Sequence, residues 1–355
     1  MTEKSDLIPG VYEGGLKVWE CSVDLAGYIF HCYEFMDRDK YGESFKEVVI
    51  SEGGIVVSTG SEEDGGDGSS ADDDVNFGGG YESDFSFYIE GIENYWLQSM
   101  QSSAEESMIY NGREFHILEI GAGHALPTIS AISTFSKYNT SLKVTVSDFN
   151  EDVLSDVTVQ NFVVNGVFDN FGVTAEDVTM YYGDWFNIPV SIANSNFNNK
   201  NENITDDTSM EMDGEVNADS NGNESGGVDL FLSSETTYTL DSCVATAKLL
   251  SKHLKTWDFG SSHEAEFNGS AGMSEELFSN MKDSEDVTVG GIALISTKRF
   301  YFGVGGGSDS LISSIAEVNS GNKEEELVVF GKIIYDSGVG NIREIVKVFK
   351  RVKYK

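Results

Sequence analysis

Residues 117–127 read Ile-Leu-Glu-Ile-Gly-Ala-Gly-His-Ala-Leu-Pro, and this stretch decides the fold of the chain. An apolar run that carries one acid, Glu119, turns through Gly121 and Gly123 into a helical pattern beginning near Pro127. Glycines in a turn between a buried strand and a helix let the backbone approach a small-molecule ligand closely. The stretch therefore predicts a nucleotide-type cofactor at the carboxyl end of a parallel strand.

The spacing of the glycines bears on the identity of that cofactor. A dinucleotide fingerprint has a third glycine three residues after the second, where this chain has Leu126. A second strand pattern, residues 141–147, is followed by Asp148, 25 residues past Gly123. A carboxylate there can accept hydrogen bonds from ribose hydroxyls, although alone it is equally an ordinary strand-end cap. Together with Glu119 and the missing glycine, it favours S-adenosylmethionine (AdoMet) over a dinucleotide.

Strand patterns and helix patterns alternate along most of the remaining chain, and such alternation predicts an α/β fold with a parallel sheet. The final two strand patterns predict an antiparallel hairpin at the edge of this sheet. The strand patterns occupy 47–50, 178–182, 228–233, 289–296, 327–335 and 342–352, and helical spacing occupies 150–159, 240–254 and 311–318.

Three polar, low-complexity segments interrupt the alternation. Residues 53–80, 194–227 and 258–286 are dominated by small polar and acidic residues. Such compositions bury too little apolar surface to offset the entropy of ordering, so we expect these insertions to be disordered. The rest of residues 1–355 should form a single domain. The aromatic-rich stretch 81–96 should dock on that domain, through packing or as the border of a substrate cleft.

Two surface assignments follow from periodicity and charge. A helix is predicted from about Glu20, with its apolar face formed by Val23, Ala26, Gly27 and Phe30. The cations of the closing strand pattern are interpreted as a solvated face. They are Lys347, Lys350, Arg351, Lys353 and Lys355.

Composition restricts the class of partner. The chain has 60 acidic and 23 basic residues, a net charge of -37, which disfavours nucleic acid and attracts a basic protein. The three cysteines, Cys21, Cys32 and Cys243, include no CxxC pair and indicate a reducing compartment. The five histidines lack metal-ligand spacing, so no metal is expected. We see no secretory signal and no transmembrane run, and expect a soluble cytoplasmic or nuclear protein with no membrane contact.

Short motifs after the later strands carry the candidate chemistry. Ser234-Glu235-Thr236-Thr237-Tyr238 supplies a carboxylate and an aromatic ring that can orient a nucleophilic nitrogen, or else Ser234 caps a helix. Gly183-Asp184-Trp185 follows the third strand pattern and would place an acid and an indole near an adenine. Residues 301–307 lack the Gly-Lys-Ser/Thr ending of a P-loop, so they are interpreted as a glycine loop beside a substrate cleft. His124 is interpreted as a helix-terminal residue and not as a catalyst.

Four blocks, taken in order, resemble the eukaryotic histidine protein methyltransferases. They are 5–20, which contains Ile-Pro-Gly-Val-Tyr-Glu-Gly-Gly-Leu-Lys-Val-Trp-Glu, 118–127, 234–238, and 301–307, which reads Tyr-Phe-Gly-Val-Gly-Gly-Gly. The resemblance covers the predicted core and none of the insertions. It implies a class I Rossmann-like fold with a seven-stranded, mostly parallel sheet, AdoMet as cofactor, and methylation of one histidine of ribosomal protein uL3.

The chemistry of the motif at 234–238 makes Glu235 and Tyr238 the candidate catalytic residues. We expect Glu235 to accept a hydrogen bond from the target imidazole and Tyr238 to form an aromatic wall. The resemblance also implies roles for individual positions. Residues expected along the cofactor are Val18, Trp19, Glu20, Cys21, Ser22, Glu119, Gly121, Gly123, Asp148, Phe149, Asn150, Gly183, Asp184, Trp185 and Ser234. Residues expected to contact the substrate are Tyr301, Phe302, Gly303, Gly305 and Gly306. Two departures from the family pattern are Ala122, where cysteine is frequent, and Asp184, where glutamate is frequent.

Two alternatives stay open at this point. One is a lysine methyltransferase of the related seven-strand group, which shares a short acid-x-x-aromatic motif, although the block at 9–15 argues against it. The other is a catalytically silent, AdoMet-binding chaperone of uL3, although Glu119, Asp148 and Glu235 are all present. In each case we expect a monomer.

Overall fold

The computed structural model describes most of the predicted core and little of the predicted insertions. The described residues are 14–30, 45–51, 54–58, 92–101, 114–138, 141–185, 188, 227–260, 287–335 and 341–354. The N-terminal part of the block at 5–20, Cys32, and residues 59–80, 194–226 and 261–286 of the insertions lie outside this set. Within the described ranges, no helix combines the length and apolar character that a membrane crossing requires.

The described strands join one mixed sheet in the order β2-β1-β9-β10-β8-β6-β3-β4-β5, with β7 paired to β10. Neighbours among β8, β6, β3, β4 and β5 pair in parallel, whereas β10 is antiparallel to both β8 and β9. The strands are β1 (Phe45–Ser51), β2 (Gly54–Ser58), β3 (Glu114–Ile120), β4 (Ser141–Asp148), β5 (Val178–Tyr182), β6 (Leu230–Ser234), β7 (Thr256–Trp257), β8 (Ile292–Lys298), β9 (Glu325–Tyr335) and β10 (Arg343–Val352).

The predicted parallel α/β sheet with an antiparallel C-terminal hairpin is confirmed. Strands β9, β10, β8, β6, β3, β4 and β5 are the seven that were expected in the core sheet. Strand β1 covers the separate strand pattern predicted at 47–50, and β2 and β7 were not predicted. The predicted start of the first insertion was wrong. Residues 54–58, which the sequence placed inside the first insertion, form β2 and pair with β1, for example Val57 with Val48. The reason is the β-branched run at 55–57, which favours a strand despite its polar surroundings.

Eight labelled helices cover the two faces of the sheet in the described part of the chain. They are α1 (Glu20–Tyr28), α2 (Ile92–Gln101), α3 (Leu126–Phe135), α4 (Glu151–Val153), α5 (Val159–Val164), α6 (Val167–Asn170), α7 (Leu240–His253) and α8 (Ser308–Gly321), with a π-helical turn, Leu154–Thr158, joining α4 to α5.

Alternation along the strands divides the apolar interior into two cores. In β3, Phe115 and Ile117 face the core shared with α1, α2 and α3, and Leu118 and Ile120 face the core shared with α7 and α8. Each such fully buried side chain contributes about 1.5–3 kcal/mol to folding. The sheet is therefore covered on both sides, which leaves its edges and strand ends to carry polar sites.

The orientation of α1 differs from the prediction. Its buried face consists of Cys21, Leu25 and Tyr28, together with Ile29 just beyond the helix, whereas Val23 is 51% exposed. The rotation is fixed by an ion pair, because the Arg343 guanidinium on β10 donates to the Asp24 carboxylate. That partner lies 319 residues away in sequence, so local periodicity could not reveal it.

The prediction that the cations of the closing strand form a solvated face is wrong for Lys347 and Lys350, whereas Arg351 and Lys353 are partly buried and Lys355 lies outside the described residues. The Lys347 side chain is 4% exposed and its Nζ lies 3.1 Å from Glu93 Oε2 on α2. Lys350 is also buried, and its Nζ donates to the Ser251 carbonyl over 3.1 Å. Because β10 lies inside the sheet with helices over both faces, cations on either face must find buried partners.

The prediction that the aromatic-rich stretch docks on the domain is confirmed for Trp96 on α2. Trp96 is fully buried, with ring centroids 5.8 Å from Phe115 and 5.6 Å from Phe135. These contacts are core packing and not the border of a cleft. Residues 81–91 lie outside the described residues.

Candidate functional site

The candidate residues meet at one edge of the sheet. Strands β3, β4, β5, β6 and β8 run parallel, so their carboxyl ends share this edge. In doubly wound α/β proteins, ligands bind outside such strand ends. The topology therefore brings together Glu119, Asp148, Gly183, Ser234 and the loop that follows β8.

The turn after β3 needs glycine for two separate reasons. Gly121 has φ +59°, and a Cβ added there would lie 2.5 Å from Thr236 Cγ2 and 3.6 Å from Trp185 Cζ2. Gly123 has φ +50°, and its N–H donates to Asp148 Oδ2 over 2.9 Å. Left-handed backbone and close approach both exclude ordinary side chains. The turn thus offers backbone, and not side chains, to the space beyond β3.

Asp148 supports this turn at the end of β4. Besides Gly123, its carboxylate accepts a 3.2 Å hydrogen bond from the Asn150 N–H through Oδ1. Asp148 is 4% exposed. Asp148 therefore caps the backbone of this turn, and its ribose contact remains a prediction, as do those of Phe149 and Asn150.

Glu119 is a buried acid, and one of its two carboxylate oxygens lacks a hydrogen-bond partner among the described residues. Its Oε2 accepts hydrogen bonds from the Thr128 N–H and hydroxyl, at 3.1 and 2.5 Å. Its Oε1 is buried and has no hydrogen-bond partner among the described residues. Burial, with a smaller contribution from the charge of Asp148, raises the pKa of Glu119 to about 8. A ligand that donates a hydrogen bond or carries positive charge would satisfy Oε1 and favour ionisation.

Gly183-Asp184-Trp185 lies against the same turn. The Gly183 N–H lies 3.1 Å from the carbonyls of both Asp148 and Phe149. The Trp185 indole packs beside Gly121, and its Nε1 is buried without a hydrogen-bond partner among the described residues. Asp184 is exposed. The indole is therefore the member of this tripeptide that the structure brings to the site, while contact with an adenine remains a prediction.

The N-terminal segment packs over the turn. A Cβ on Gly15 would lie 2.7 Å from Val153 Cγ1 and 3.1 Å from Asp148 Oδ2. The His124 ring fastens this segment, because its Nε2 lies 3.2 Å from the Leu16 carbonyl and its Nδ1 lies 3.0 Å from the amide nitrogen of Asn161. Asn161 donates to Nδ1, so Nε2 carries the proton and donates to Leu16. His124 is a structural residue here.

Residues 18–22, which were expected along the cofactor, point in several directions. The Trp19 Nε1 donates to the Gly14 carbonyl over 3.1 Å, and Lys298 Nζ lies 5.6 Å from the Trp19 ring. The Glu20 carboxylate lies 3.2 Å from Arg343. Cys21 is fully buried, and burial together with the charge of the Glu235 carboxylate that it faces raises the pKa of its thiol. Val18 is 43% exposed and Ser22 is buried. The segment thus links the turn after β3 to the motif after β6.

Glu235 is held in a strained conformation at the end of β6. Its φ is +57°, a left-handed value that costs a residue other than glycine roughly 1–3 kcal/mol. Its Oε2 accepts a hydrogen bond from the Tyr301 hydroxyl. Lys298 Nζ lies 3.3 Å from Oε1, close enough for an ion pair but outside hydrogen-bond geometry. Strain of this kind persists where surrounding contacts hold it, often at functional sites.

Tyr301 connects Glu235 to the predicted aromatic wall. The rings of Tyr301 and Tyr238 meet edge to face, with centroids 6.5 Å apart. Burial, with a further contribution from the Glu235 charge, holds the pKa of the Tyr301 hydroxyl well above its usual range. Tyr301 therefore stays protonated and acts as the donor to Glu235. Ser234, the first residue of this motif, is also buried.

The glycine loop at 301–307 owes its composition to close packing. The Gly306 N–H donates to the Tyr238 carbonyl over 3.2 Å, and the Gly307 N–H to the Thr237 carbonyl over 2.8 Å. A Cβ on Gly306 would lie 2.6 Å from the Thr239 nitrogen. Gly306, predicted to contact substrate, is thus packed against backbone. Gly303 and Gly305 adopt positive φ, and the loop exposes 86% of Phe302.

One contributor was missed by the sequence interpretation. Lys298 ends β8 and contacts the Glu235 carboxylate. A cation at the carboxyl end of a predicted parallel strand was a usable signal for it. Cys21, which was expected along the cofactor, faces the Glu235 carboxylate from α1, and this position depends on how α1 docks.

Comparison with known proteins supports the resemblance seen in the sequence, although no protein-family model matches the chain. A Dictyostelium discoideum protein named histidine protein methyltransferase 1 homolog is 22% identical over 358 residues, covering 99% of this chain and 63% of that protein. Histidine protein methyltransferase 1 of Schizosaccharomyces pombe is 23% identical over 164 residues, covering 46% of this chain and 26% of that protein. The rat homolog is 79% identical over 24 residues, 7% of each chain.

The similarity to proteins with these names confirms the predicted resemblance. The chain spans less than two thirds of the length of the first two relatives, at 63% and 26%. Among solved structures, an S-adenosylhomocysteine-bound methyltransferase from Podospora anserina covers 75% of this chain and 89% of its own, with a TM-score of 0.31 and 10% identity.

Proposed function

We propose that the chain is an AdoMet-dependent protein-histidine N-methyltransferase, acting as a monomer in the cytoplasm or nucleus on ribosomal protein uL3. The observation that carries the proposal is the placement of the strained Glu235 beside the glycine turn that follows Glu119, at one edge of the sheet. The names of the relatives support protein-histidine methylation as the reaction class.

The residues around the turn fit AdoMet. Glu119 Oε1 is a buried acceptor and Trp185 Nε1 a buried donor, and neither has a hydrogen-bond partner among the described residues. Both residues lie near Gly121, where there is no room for a side chain. AdoMet carries an ammonium group, ribose hydroxyls and adenine nitrogens that match such groups. Glu119, Gly121, Asp148 and Trp185 would hold it. When bound, it supplies an activated methyl group on a sulfonium.

The reaction asks little acid-base chemistry of the protein. Histidine has an ordinary pKa of about 6.5, so a substrate imidazole is largely neutral at cellular pH and one nitrogen is nucleophilic. With AdoMet bound, that nitrogen would form the new bond to the methyl carbon while the carbon–sulfur bond breaks and its electron pair stays on sulfur. The other ring nitrogen would then release its proton to solvent water. The protein contributes chiefly in-line placement, which can account for a large part of the rate.

Glu235 and Tyr238 are the residues that would place the imidazole. Oε1 of Glu235 would accept the N–H of the non-reacting nitrogen, and the Tyr238 ring would limit sideways motion. Because the imidazole gains positive charge during attack, the hydrogen bond to a carboxylate strengthens in the transition state. Tyr238 and Tyr301 pack edge to face, which fixes the two residues relative to each other.

The surface beside these residues suits a protein substrate. Phe302, Val304 and Leu240 are 86%, 51% and 58% exposed, and the loop that presents the first two is fastened to residues 237–239 by backbone hydrogen bonds. The net charge of -37 would attract a basic protein such as uL3 and speed the encounter, with an effect that weakens as salt is added.

One experiment tests the proposed function. Purified full-length chain is incubated with methyl-labelled AdoMet and recombinant uL3, and the modified residue is mapped by mass spectrometry. We expect label on a single histidine, and no label when that histidine is replaced by alanine. Label on lysine would select the lysine methyltransferase, and AdoMet binding without transfer would select the silent chaperone; either result overturns the proposal.

A further inference from the structure

We propose that Tyr301 and Lys298 are positioning residues that fix the Glu235 carboxylate so that Oε1 is the oxygen presented to the substrate imidazole. This inference rests on the proposed function, because it assigns a purpose to the same carboxylate. It adds two residues that act through Glu235 and do not themselves touch the reacting atoms.

The backbone around Glu235 is the first element that fixes the direction of its side chain. The Glu235 N–H donates to the Ser296 carbonyl over 3.0 Å, and the Thr237 hydroxyl donates to that of Thr297 over 2.7 Å. Both bonds tie the motif after β6 to the end of β8. With φ of Glu235 at +57°, these contacts hold the side chain in a direction that relaxed backbone would not give.

The two carboxylate oxygens of Glu235 are in different environments. Oε2 accepts the hydrogen bond from Tyr301 and is thereby engaged inside the protein. Oε1 has no hydrogen-bond partner among the described residues, although it is buried. A buried acceptor without a donor is costly, and an incoming N–H would remove that cost. The hydrogen bond from Tyr301 thus determines which oxygen is available.

Lys298 is the second residue that holds this carboxylate. Its Nζ lies 3.3 Å from Glu235 Oε1 and 5.6 Å from each of the Trp19 and Tyr301 ring centroids. The other titratable groups facing Glu235 come from α1. These are the Cys21 thiol and Asp24, and Asp24 is itself paired with Arg343.

Lys298 is thus the cation in direct contact with Glu235 in the described part of the site. The attraction between this ammonium group and the carboxylate opposes rotation of the carboxylate away from the end of β8. Lys298 and Tyr301 together therefore restrain the direction in which Oε1 points.

Tyr301→Phe tests the positioning by Tyr301, since it keeps the ring and the loop and removes only the O–H. We expect kcat to fall about tenfold or more while the AdoMet Kd changes less than about twofold, because the lost contact acts on the transition state. In a Glu235→Gln background the same change should have little further effect. Tyr354→Phe is the matched control, because it removes the same kind of tyrosine–carboxylate hydrogen bond, to Asp258, at the opposite edge of the sheet.

Lys298→Met tests the positioning by Lys298. We expect kcat to fall about tenfold while the AdoMet Kd changes less than about twofold, and we expect Lys298→Arg, which keeps the cation, to recover most of the lost kcat. A kcat equal to that of wild type in either Lys298→Met or Tyr301→Phe would overturn the inference. Failure of the proposed function would instead appear in the wild-type chain, as label on lysine or no label.

Discussion

The two halves of the candidate site hold their acids in different ways. At the ends of β3 and β4, the Asp148 carboxylate accepts hydrogen bonds from the backbone of Gly123 and Asn150. At the ends of β6 and β8, the Glu235 carboxylate is held by the side chains of Tyr301 and Lys298. We call the ends of β3 and β4 the cofactor half, because AdoMet is proposed to bind there, and the ends of β6 and β8 the transfer half, because Glu235 is proposed to act there. The cofactor half depends on backbone shape, and the transfer half depends on side-chain chemistry. Substitutions in the two halves should fail in different measurements.

The largest effect is expected from Gly121→Val in the cofactor half. A side chain there meets Thr236 and requires a left-handed backbone, so AdoMet affinity should fall roughly 100-fold or more. Titration calorimetry measures this loss. Gly172→Val is the matched control, because Gly172 also has a positive φ, +68°, but nothing lies within 4 Å of its Cβ position. Equal loss of affinity in both variants would show that strain alone, and not the closeness of the turn, controls binding.

Glu235→Gln should produce the next largest effect, confined to the transfer half. The amide keeps the shape and the left-handed backbone but loses the charge that stabilises a developing imidazolium, so kcat should fall roughly 100-fold. AdoMet affinity should stay within about threefold of wild type. Steady-state kinetics with uL3 and calorimetry with AdoMet separate the two quantities. If kcat and AdoMet affinity fell by the same factor, the two halves of the site would not be functionally separate.

Glu119→Gln should change the pH dependence of AdoMet affinity more than it changes kcat. Because the pKa of Glu119 is about 8, AdoMet affinity in the wild type should rise about tenfold per pH unit up to that value, as the acid loses its proton. The glutamine variant should show a flat profile between pH 6 and about 8. Calorimetry in buffers of different ionisation enthalpy would also detect proton release on binding, and its absence in the wild type would contradict the prediction.

The same residue gives a stability test with a definite sign. The pKa of Glu119 is raised from 4.5 in the unfolded chain to about 8 in the folded protein. The folded state therefore binds the extra proton, and this contribution to the free energy of unfolding is fully present below pH 4.5 and lost as pH rises through about 8. Denaturant unfolding of the ligand-free protein should show a decline with pH that Glu119→Gln reduces.

Phe302→Ser should have the smallest effect, at the rim of the transfer half. Phe302 is 86% exposed, so its replacement should leave folding stability and AdoMet affinity unchanged. If the ring contacts the substrate, its loss removes about one buried apolar contact, and KM for uL3 should rise roughly fivefold to tenfold. Val164→Ser, at a residue 81% exposed on α5, provides the comparison. An identical KM for the two variants would remove Phe302 from the substrate surface.

The framework of the fold could be predicted because its signals are local. The strand pattern at 178–182 coincides with β5, and the glycine turn after β3 lies where its sequence placed it. Period-two alternation and paired glycines operate over a few residues, and nearby residues determine them. The gathering of Glu119, Asp148 and Ser234 at one edge also followed, since parallel strands end together.

The parts that could not be predicted depend on distant partners. The face of α1 was misassigned because Arg343, 319 residues later, holds Asp24. Lys347 was placed in solvent because Glu93, its buried partner, lies 254 residues earlier. Likewise, the strain at Glu235 arises from contacts with β8 and the loop beyond it. Local sequence patterns do not reveal contacts between residues this far apart in the chain. Contacts of this kind define much of the transfer half.

The placement of β10 has a consequence for how the protein is made. This strand lies between β8 and β9 in the sheet although it follows both in the chain, and it supplies the partners of Asp24 on α1 and Glu93 on α2. At roughly 5–20 residues per second, a ribosome needs roughly 15–65 s to reach Arg343 after making Asp24, which is 319 residues earlier. Throughout that interval α1 lacks the cation that fixes its face, and once β8 has been made its edge also lacks its neighbour. Closure of the N-terminal segment over the site is therefore a late event of biosynthesis, and a nascent chain stalled before residue 343 should bind no cofactor.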